Sequence, residues 1–318
     1  MGIDFNLFLT SLPGAVATGA IWGIMAIGLY ISYKILDFAD LSVDGSFTTG
    51  GAVFVISVLN GQNIFVAMIF AFLSGCAAGL ATGIFNTKFG IPPILAGILT
   101  QLGLYSINLR IIGQDFTIAG IDVKALETIP RGLYTPIISS MYTNRSLISL
   151  AILVIMIILV LYWFFATELG HSIRATGSNK NMAKANGINI DLTTIIALVI
   201  SNGIVALSGA AFAQYQGSAE VSMGQGAIVI GLAAIIIGEV LFSKIFKNFA
   251  LKLLGAGLGG VVYYIVIQSV INVGFNTNDM KLLTALVVGL FLGIPYWKSH
   301  VDQKKAGSSK AKNKEVKE

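Results

Sequence analysis

The sequence predicts an all-α protein, a polytopic membrane bundle of about nine helices, with eight to ten compatible with the same hydropathy pattern. Composition is the first reason: 55% of the residues are hydrophobic and 11% are charged, against roughly 25% charged in soluble domains. The second is a mean hydropathy of +0.83. The third is that the apolar residues gather into long runs. A chain of 318 residues cannot hide that much apolar surface from water, whereas helices of roughly 20 residues use it against lipid and one another.

Taken in order, the apolar runs lie near 12–32, 46–60, 64–86, 91–112, 146–166, 192–215, 226–243, 250–272 and 282–297. The first is too long for a secretory h-region and lacks a charged flank, so it reads as a retained membrane helix. Ahead of the second stand Asp37, Asp40 and Asp44; Ser42 or Asp44 is expected to cap that helix, where a carboxylate favours the positive end. Glycines recur every four residues on three runs: Gly19 and Gly23, then Gly75, Gly79 and Gly83, then Gly255 and Gly259. That spacing puts each set on one helix face and permits close packing, within the subunit, at a dimer seam or in a moving gate. The fourth run carries Gln101, Ser106 and Asn108, and the sixth carries Asn202, Ser208, Gln214 and Gln216. Neutral polar groups in hydrocarbon either line a path for a small polar solute or tie helices together. Glu239 closes the seventh run ahead of Lys244 and Lys247, and is expected to form an ion pair at the cytoplasmic end or, second, to act as a gate element.

The connections carry the orientation. Lys34, Lys88, Arg174, Lys180, Lys184, Lys244, Lys247, Lys252 and seven tail lysines fall on one side; Arg110, Lys124, Arg131, Arg145 and Lys281 fall on the other. The positive-inside rule then places the N-terminus outside and the C-terminus in the cytoplasm. Residues 1–297 form the membrane domain, and 298–318 a basic tail too poor in apolar residues to fold alone, suited to anionic lipid headgroups. The long outer connection 113–145, with Asp115, Asp122, Glu127, Pro130 and Pro136, reads as a cap over the outer mouth, a contact for an external protein or a plain surface loop.

Several classes fall away. The charge of +5 is confined to tail and loops, which argues against nucleic acid. Cys76 stands alone inside an apolar run, and His171 and His300 lack a second ligand at metal spacing. There is no phosphate-binding Gly-Lys-Ser or Gly-Lys-Thr loop, no His-Glu-x-x-His helix and no Gly-x-Ser-x-Gly elbow. This chain is therefore expected to bind no cofactor and to catalyse nothing. No carboxylate series crosses the bundle, which weakens a proton-coupled mechanism. One polar insert remains, the cytoplasmic loop 167–191 with Arg174-Ala-Thr-Gly-Ser-Asn-Lys-Asn-Met-Ala-Lys-Ala-Asn-Gly-Ile188 at its heart. It reads as a surface helix available to a soluble partner, and a transporter with neither ion relay nor nucleotide site must take its energy from such a partner.

The chain from about Leu12 to Gly293 resembles the inner-membrane permeases of bacterial ABC importers of the branched-chain amino acid and ribose type. Three blocks carry the resemblance: Gly19 to Val53, with Ala26-Ile-Gly28, Leu36-Asp-Phe-Ala39 and Gly45 to Gly51; Arg174 to Ile188; and the Ala- and Gly-rich Ala197 to Gly217. Asp37 stands where many relatives have Asn, and Asp40-Leu-Ser-Val-Asp44 departs from the usual His-Gly continuation. Leu41-Ser-Val-Asp-Gly45 and Ile237-Gly-Glu-Val240 look most like permeases linked to tryptophan or tyrosine uptake. The resemblance implies about ten helices in a multi-pass protein of the bacterial plasma membrane. It also implies a second permease subunit, most simply another copy of this chain. Its other implied partners are cytoplasmic ABC ATPases that bind ATP and Mg and an extracytoplasmic solute-binding protein. The coupling segment would be Arg174 to Ile188, with Gly177 and Gly187 turning the chain, Ala183 and Ala185 permitting close approach, and Asn179 in the turn. A secondary carrier or channel working without an ATPase is the alternative, followed by a membrane enzyme or scaffold.

Overall fold

The computed structural model describes residues 5–112, 126–128, 137–138, 143–243, 245–272 and, between 282 and 293, positions 282, 284–286, 288–290 and 293. The tail and half of the ninth apolar run lie outside these residues, as does most of the connection 113–145. Among the described residues six helices are long and apolar enough to cross a membrane, and two apolar helices are shorter. The long ones are α1 (Phe5–Tyr30), α3 (Ile64–Thr87), α4 (Pro93–Ile111), α5 (Thr143–Phe165), α8 (Ile190–Gln216) and α10 (Phe249–Asn272); the short ones are α2 (Val43–Leu59) and α9 (Ala227–Phe242). Between α5 and α8 run two polar helices, α6 (Glu168–Ser178) and α7 (Lys180–Ala185). A short antiparallel pair, β1 (Leu126–Thr128) with β2 (Ser218–Glu220), follows the register Leu126 to Glu220.

The helices start where the sequence supplies acceptors for free amides. Asn63, Thr167, Asn179 and Asn189 each accept a backbone N–H in the first turn of α3, α6, α7 and α8, and Pro93 opens α4 at a position that needs no donor. α1 ends in a π-helical turn, Ile31–Ile35.

α8 is the buried axis of the bundle. It packs on α1, α2 and α3, while α10 packs on α1 and α9. The glycine stripes make these approaches possible, and all three act within one chain. A Cβ at Gly75 would strike the backbone of Asn202, and one at Gly79 that of Leu198, so the α3 stripe lets two helix backbones touch along α8. Gly19 and Gly23 face Val261, Gly260 and Gly257 of α10, and Gly259 faces Ala234 of α9. Such contacts replace the hydrophobic drive that lipid removes. Outward faces of α3, α4 and α5 remain apolar and exposed, as at Phe65, Ile107 and Trp163, which suits them to hydrocarbon.

Replacing Gly75 with Leu forces α3 off α8. It is expected to lower stability by about 3 kcal/mol or more, read as a lower Tm in detergent. Gly103→Ala, where a Cβ meets nothing within 4 Å, is expected to leave Tm unchanged or raise it, since alanine gains up to about 1 kcal/mol in a helix.

Candidate translocation site

The two short helices explain each other. α2 has 17 residues and α9 has 16, both below the roughly 20 a hydrocarbon core requires. Their N-termini meet inside the bundle. Asp44, in the first turn of α2, accepts hydrogen bonds from Gly226 N at 3.0 Å and Ile228 N at 2.8 Å, the opening amides of α9. The expected cap is thus real but serves a different helix: α2 begins at Ser42 with no side-chain cap. Two positive helix ends would repel, and the carboxylate between them offsets both.

A second carboxylate pins the same level of α2 to α8. Asp40 is 1% exposed and accepts from Ser42 N at 2.9 Å, Ser42 Oγ at 2.5 Å and Asn202 Nδ2 at 2.7 Å. Asn202 Oδ1 in turn accepts from Ser46 Oγ at 2.6 Å. Asn202 lies near the midpoint of the 27-residue α8, so the start of α2 is held halfway along the bundle axis.

Beside Asp44 opens a cleft of about 210 Å³, walled by Gly45 and Thr48 of α2, by Gln101, Tyr105 and Asn108 of α4, and by Val221, Gly224 and Gln225 ahead of α9. Of the polar residues expected on a path, Gln101 and Asn108 line this cleft. Ser106 is exposed on another side of α4. Asn202 is a core tie, and Ser208 donates to Ile21 O at 2.6 Å, joining α8 to α1. Gln214 is 2% exposed with neither amide atom partnered, away from the cleft lining; Gln216 is exposed. Sequence reasoning read Ser42 or Asp44 as the cap of α2, gave Asp40 no separate role, and passed over Tyr105 and Gln225. The signal was present in two carboxylates four apart at a helix start, and in the Gly224-Gln-Gly226 break.

At the end of the bundle where α1 stops, the expected coupling segment is two elements. α6 lies inward. Gly177 sits against the backbone of Ile35 and Leu36, so it provides close contact instead of a turn. The Arg174 guanidinium lies 4.1 Å from the Phe249 ring centroid and 5.4 Å from that of Phe165, facing the bundle. Asn179 caps α7 through Met182 N. Ala183 is 2% exposed and therefore faces the protein, while Lys180, Met182, Lys184 and Ala185 are exposed. Gly187 turns the chain at φ +78° as expected, and Ile188 N returns to Ala183 O. Nearby, Glu239 forms an ion pair with Lys34 at 3.0 Å; Lys244 lies outside the described residues.

Comparison with known proteins places this architecture. Residues 12–300 match the model of the family described as branched-chain amino acid transport system / permease component. The chain belongs to that family. It is a permease of the ABC importer type. It is 40% identical to a tyrosine transport system permease protein of Clostridioides difficile, over 89% of this chain and 91% of that protein. It is 31% identical to the autoinducer 2 import system permease protein LsrC of Yersinia pseudotuberculosis, over 75% of this chain and 65% of that one. Among solved structures, PsaBC from Streptococcus pneumoniae in complex with Fab has the same fold, with a TM-score of 0.52 at 15% identity over 90% of this permease and 95% of that chain.

Replacing Asn202 with Leu removes the donor that Asp40 faces and the acceptor of Ser46. The permease variant is expected to lose about 3 kcal/mol or more, as broken buried charge contacts do, seen as a lower Tm and aggregation in size-exclusion chromatography. An unchanged Tm would return Asn202 to the pathway.

Proposed function

We propose that this chain forms the membrane pathway of an importer for an aromatic amino acid, driven by a separate cytoplasmic ATPase that docks on α7 and the adjoining face of α6. The observation that carries the solute class is the 40% identity, over about nine-tenths of both chains, to a protein named as a tyrosine transport permease. The cleft supports it, since its lining joins polar groups, Asp44, Gln101, Asn108 and Gln225, to the apolar Ile98, Leu102 and Val221.

On this reading ATP and Mg belong to the partner ATPase, and an extracytoplasmic solute-binding protein delivers the solute. A second permease subunit, a copy of this chain, completes the pathway. The N-terminus lies outside, and the loop 167–191 and the basic tail lie in the cytoplasm against anionic lipid. The exposed strip Lys180, Met182, Lys184 and Ala185 is the docking surface, with Asn179, Gly187 and Ile188 shaping its ends. Arg174, Gly177 and Ala183 act from beneath, by seating the segment on the bundle. Lys34 and Glu239 lie on the same side as this surface.

Vesicles carrying the permease with its co-purifying ATPase, given the solute-binding protein outside and ATP inside, are expected to take up labelled tyrosine, and to stop on ATP depletion. Uptake that survives ATP depletion and collapses with the ion gradient would establish a secondary carrier. Ala185→Glu is expected to cut coupled uptake and ATPase co-purification on the order of tenfold, as the loss of about 1.4 kcal/mol of docking does, with Tm unchanged. Ala183→Glu, which buries a charge, is expected to lower Tm itself. Wild-type coupling in Ala185→Glu would remove α7 from the docking surface.

A further inference from the structure

We propose that the cleft beside Asp44 is a transient subsite for an ammonium group, so that the pathway favours zwitterionic or cationic solutes over their des-amino analogues. This rests on reading the cleft as part of the solute pathway, and names what it recognises there.

Three observations point to a hydrogen-bond donor with positive charge. First, each oxygen of the Asp44 carboxylate receives one backbone N–H, and a carboxylate oxygen can accept two. Acceptor capacity therefore remains on a charged group in the cleft wall. Second, Asn108 lines the same cleft, is 1% exposed, and gives one of its two amide N–H donors to Gly45 O at 3.4 Å. Its Oδ1 is sealed from solvent with no partner. Leaving a buried carbonyl unpaired costs free energy that a ligand donor recovers. Third, the described residues lining the cleft include one carboxylate and no lysine or arginine.

An anion fits poorly, although two helix N-termini converge here. The Gly226 and Ile228 amides that would bind it are already taken by Asp44, so the protein's own carboxylate occupies the anion position. The volume of about 210 Å³ lies below the roughly 300–1,000 Å³ of sites for drug-sized ligands and suits a solute of single amino acid size. Ile98, Leu102 and Tyr105 offer its side chain an apolar wall.

The test titrates the full chain in nanodiscs with L-tyrosine, tyramine and 3-(4-hydroxyphenyl)propionate by calorimetry. Tyrosine and tyramine are expected to bind, and the des-amino acid at least about tenfold more weakly. Asn108→Leu is expected to weaken tyramine on the order of tenfold. Asn108→Asp, which keeps an acceptor and adds charge, is expected to bind tyramine at least as tightly as the wild type. The proposal is overturned if no probe binds at millimolar concentration, if the des-amino acid matches tyramine, or if Asn108→Asp loses tyramine while its Tm is unchanged. Labelled tyrosine uptake by the assembled transporter, measured alongside, separates the two readings. Uptake without amine-selective binding removes the subsite and leaves the pathway; amine-selective, Asn108-dependent binding without tyrosine uptake leaves the subsite and removes the solute assignment.

Discussion

Two helices that start inside a membrane bundle present a problem that a single side chain meets here. The opening amides of a helix have no partners within it, and in hydrocarbon an unpaired amide costs several kcal/mol. With two such ends facing each other, the partial positive charges add. Asp44 accepts two amides of α9 from a position in the first turn of α2, which meets both difficulties at once. Asp40 and Asn202 then fix that junction to the middle of α8. Without these carboxylates α2 and α9 have no reason to stop halfway, and the cleft beside them has no wall. Irregular backbone at depth, tolerated because it borders a cavity, is what membrane transport sites are built from.

The junction is also physically continuous with the polar end of the bundle. α6 rests through Gly177 on the π-helical turn that ends α1, and through Arg174 on Phe165 at the end of α5 and Phe249 at the start of α10. Lys34, within that π turn, holds Glu239 near the end of α9. The far end of α9 is the one capped by Asp44. A partner pressing on α7 would therefore reach α1 and α10 directly and the cleft through one ion pair and one rigid helix. The pair is half-exposed, at 48% and 39%, so it contributes little to stability, roughly 0–1 kcal/mol, and can part without unfolding anything. A contact that is weak in free energy but fixed in position suits a joint better than a strut.

Much of this was legible in the sequence for reasons that are local. Helix existence follows from apolar run length, and the boundaries of α3 and α10 fall within about two residues of the runs 64–86 and 250–272. The glycine stripes were legible as faces, because a four-residue period fixes a side of a helix whatever the tertiary structure. Their partners were not, since nothing in the spacing of Gly75, Gly79 and Gly83 names α8. The same limit explains Asp44: a carboxylate at a helix start reads as that helix's cap, and only the fold brings a second helix start within its reach. Arg174, Gly177 and Ala183 were found as a group, but which of them faces the bundle depends on how α6 lies on α1. Glu239 was recognised as an ion-pair residue, while its partner lies some two hundred positions earlier in the chain.

What separates Asn108 from Asn202 is the number of partners each has found. Both are nearly fully buried asparagines on apolar helices, and in the sequence they are equivalent. Asn202 uses its carbonyl and its amide group on Ser46, Asp40 and Leu198, so its polarity is spent inside the protein. Asn108 has engaged one amide N–H and left its carbonyl oxygen without a partner. A polar group buried in hydrocarbon tends to find partners, because the alternative is costly. One that has not done so while bordering a cleft has no partner among the described residues, and in a permease the molecule that comes and goes at such a place is the solute.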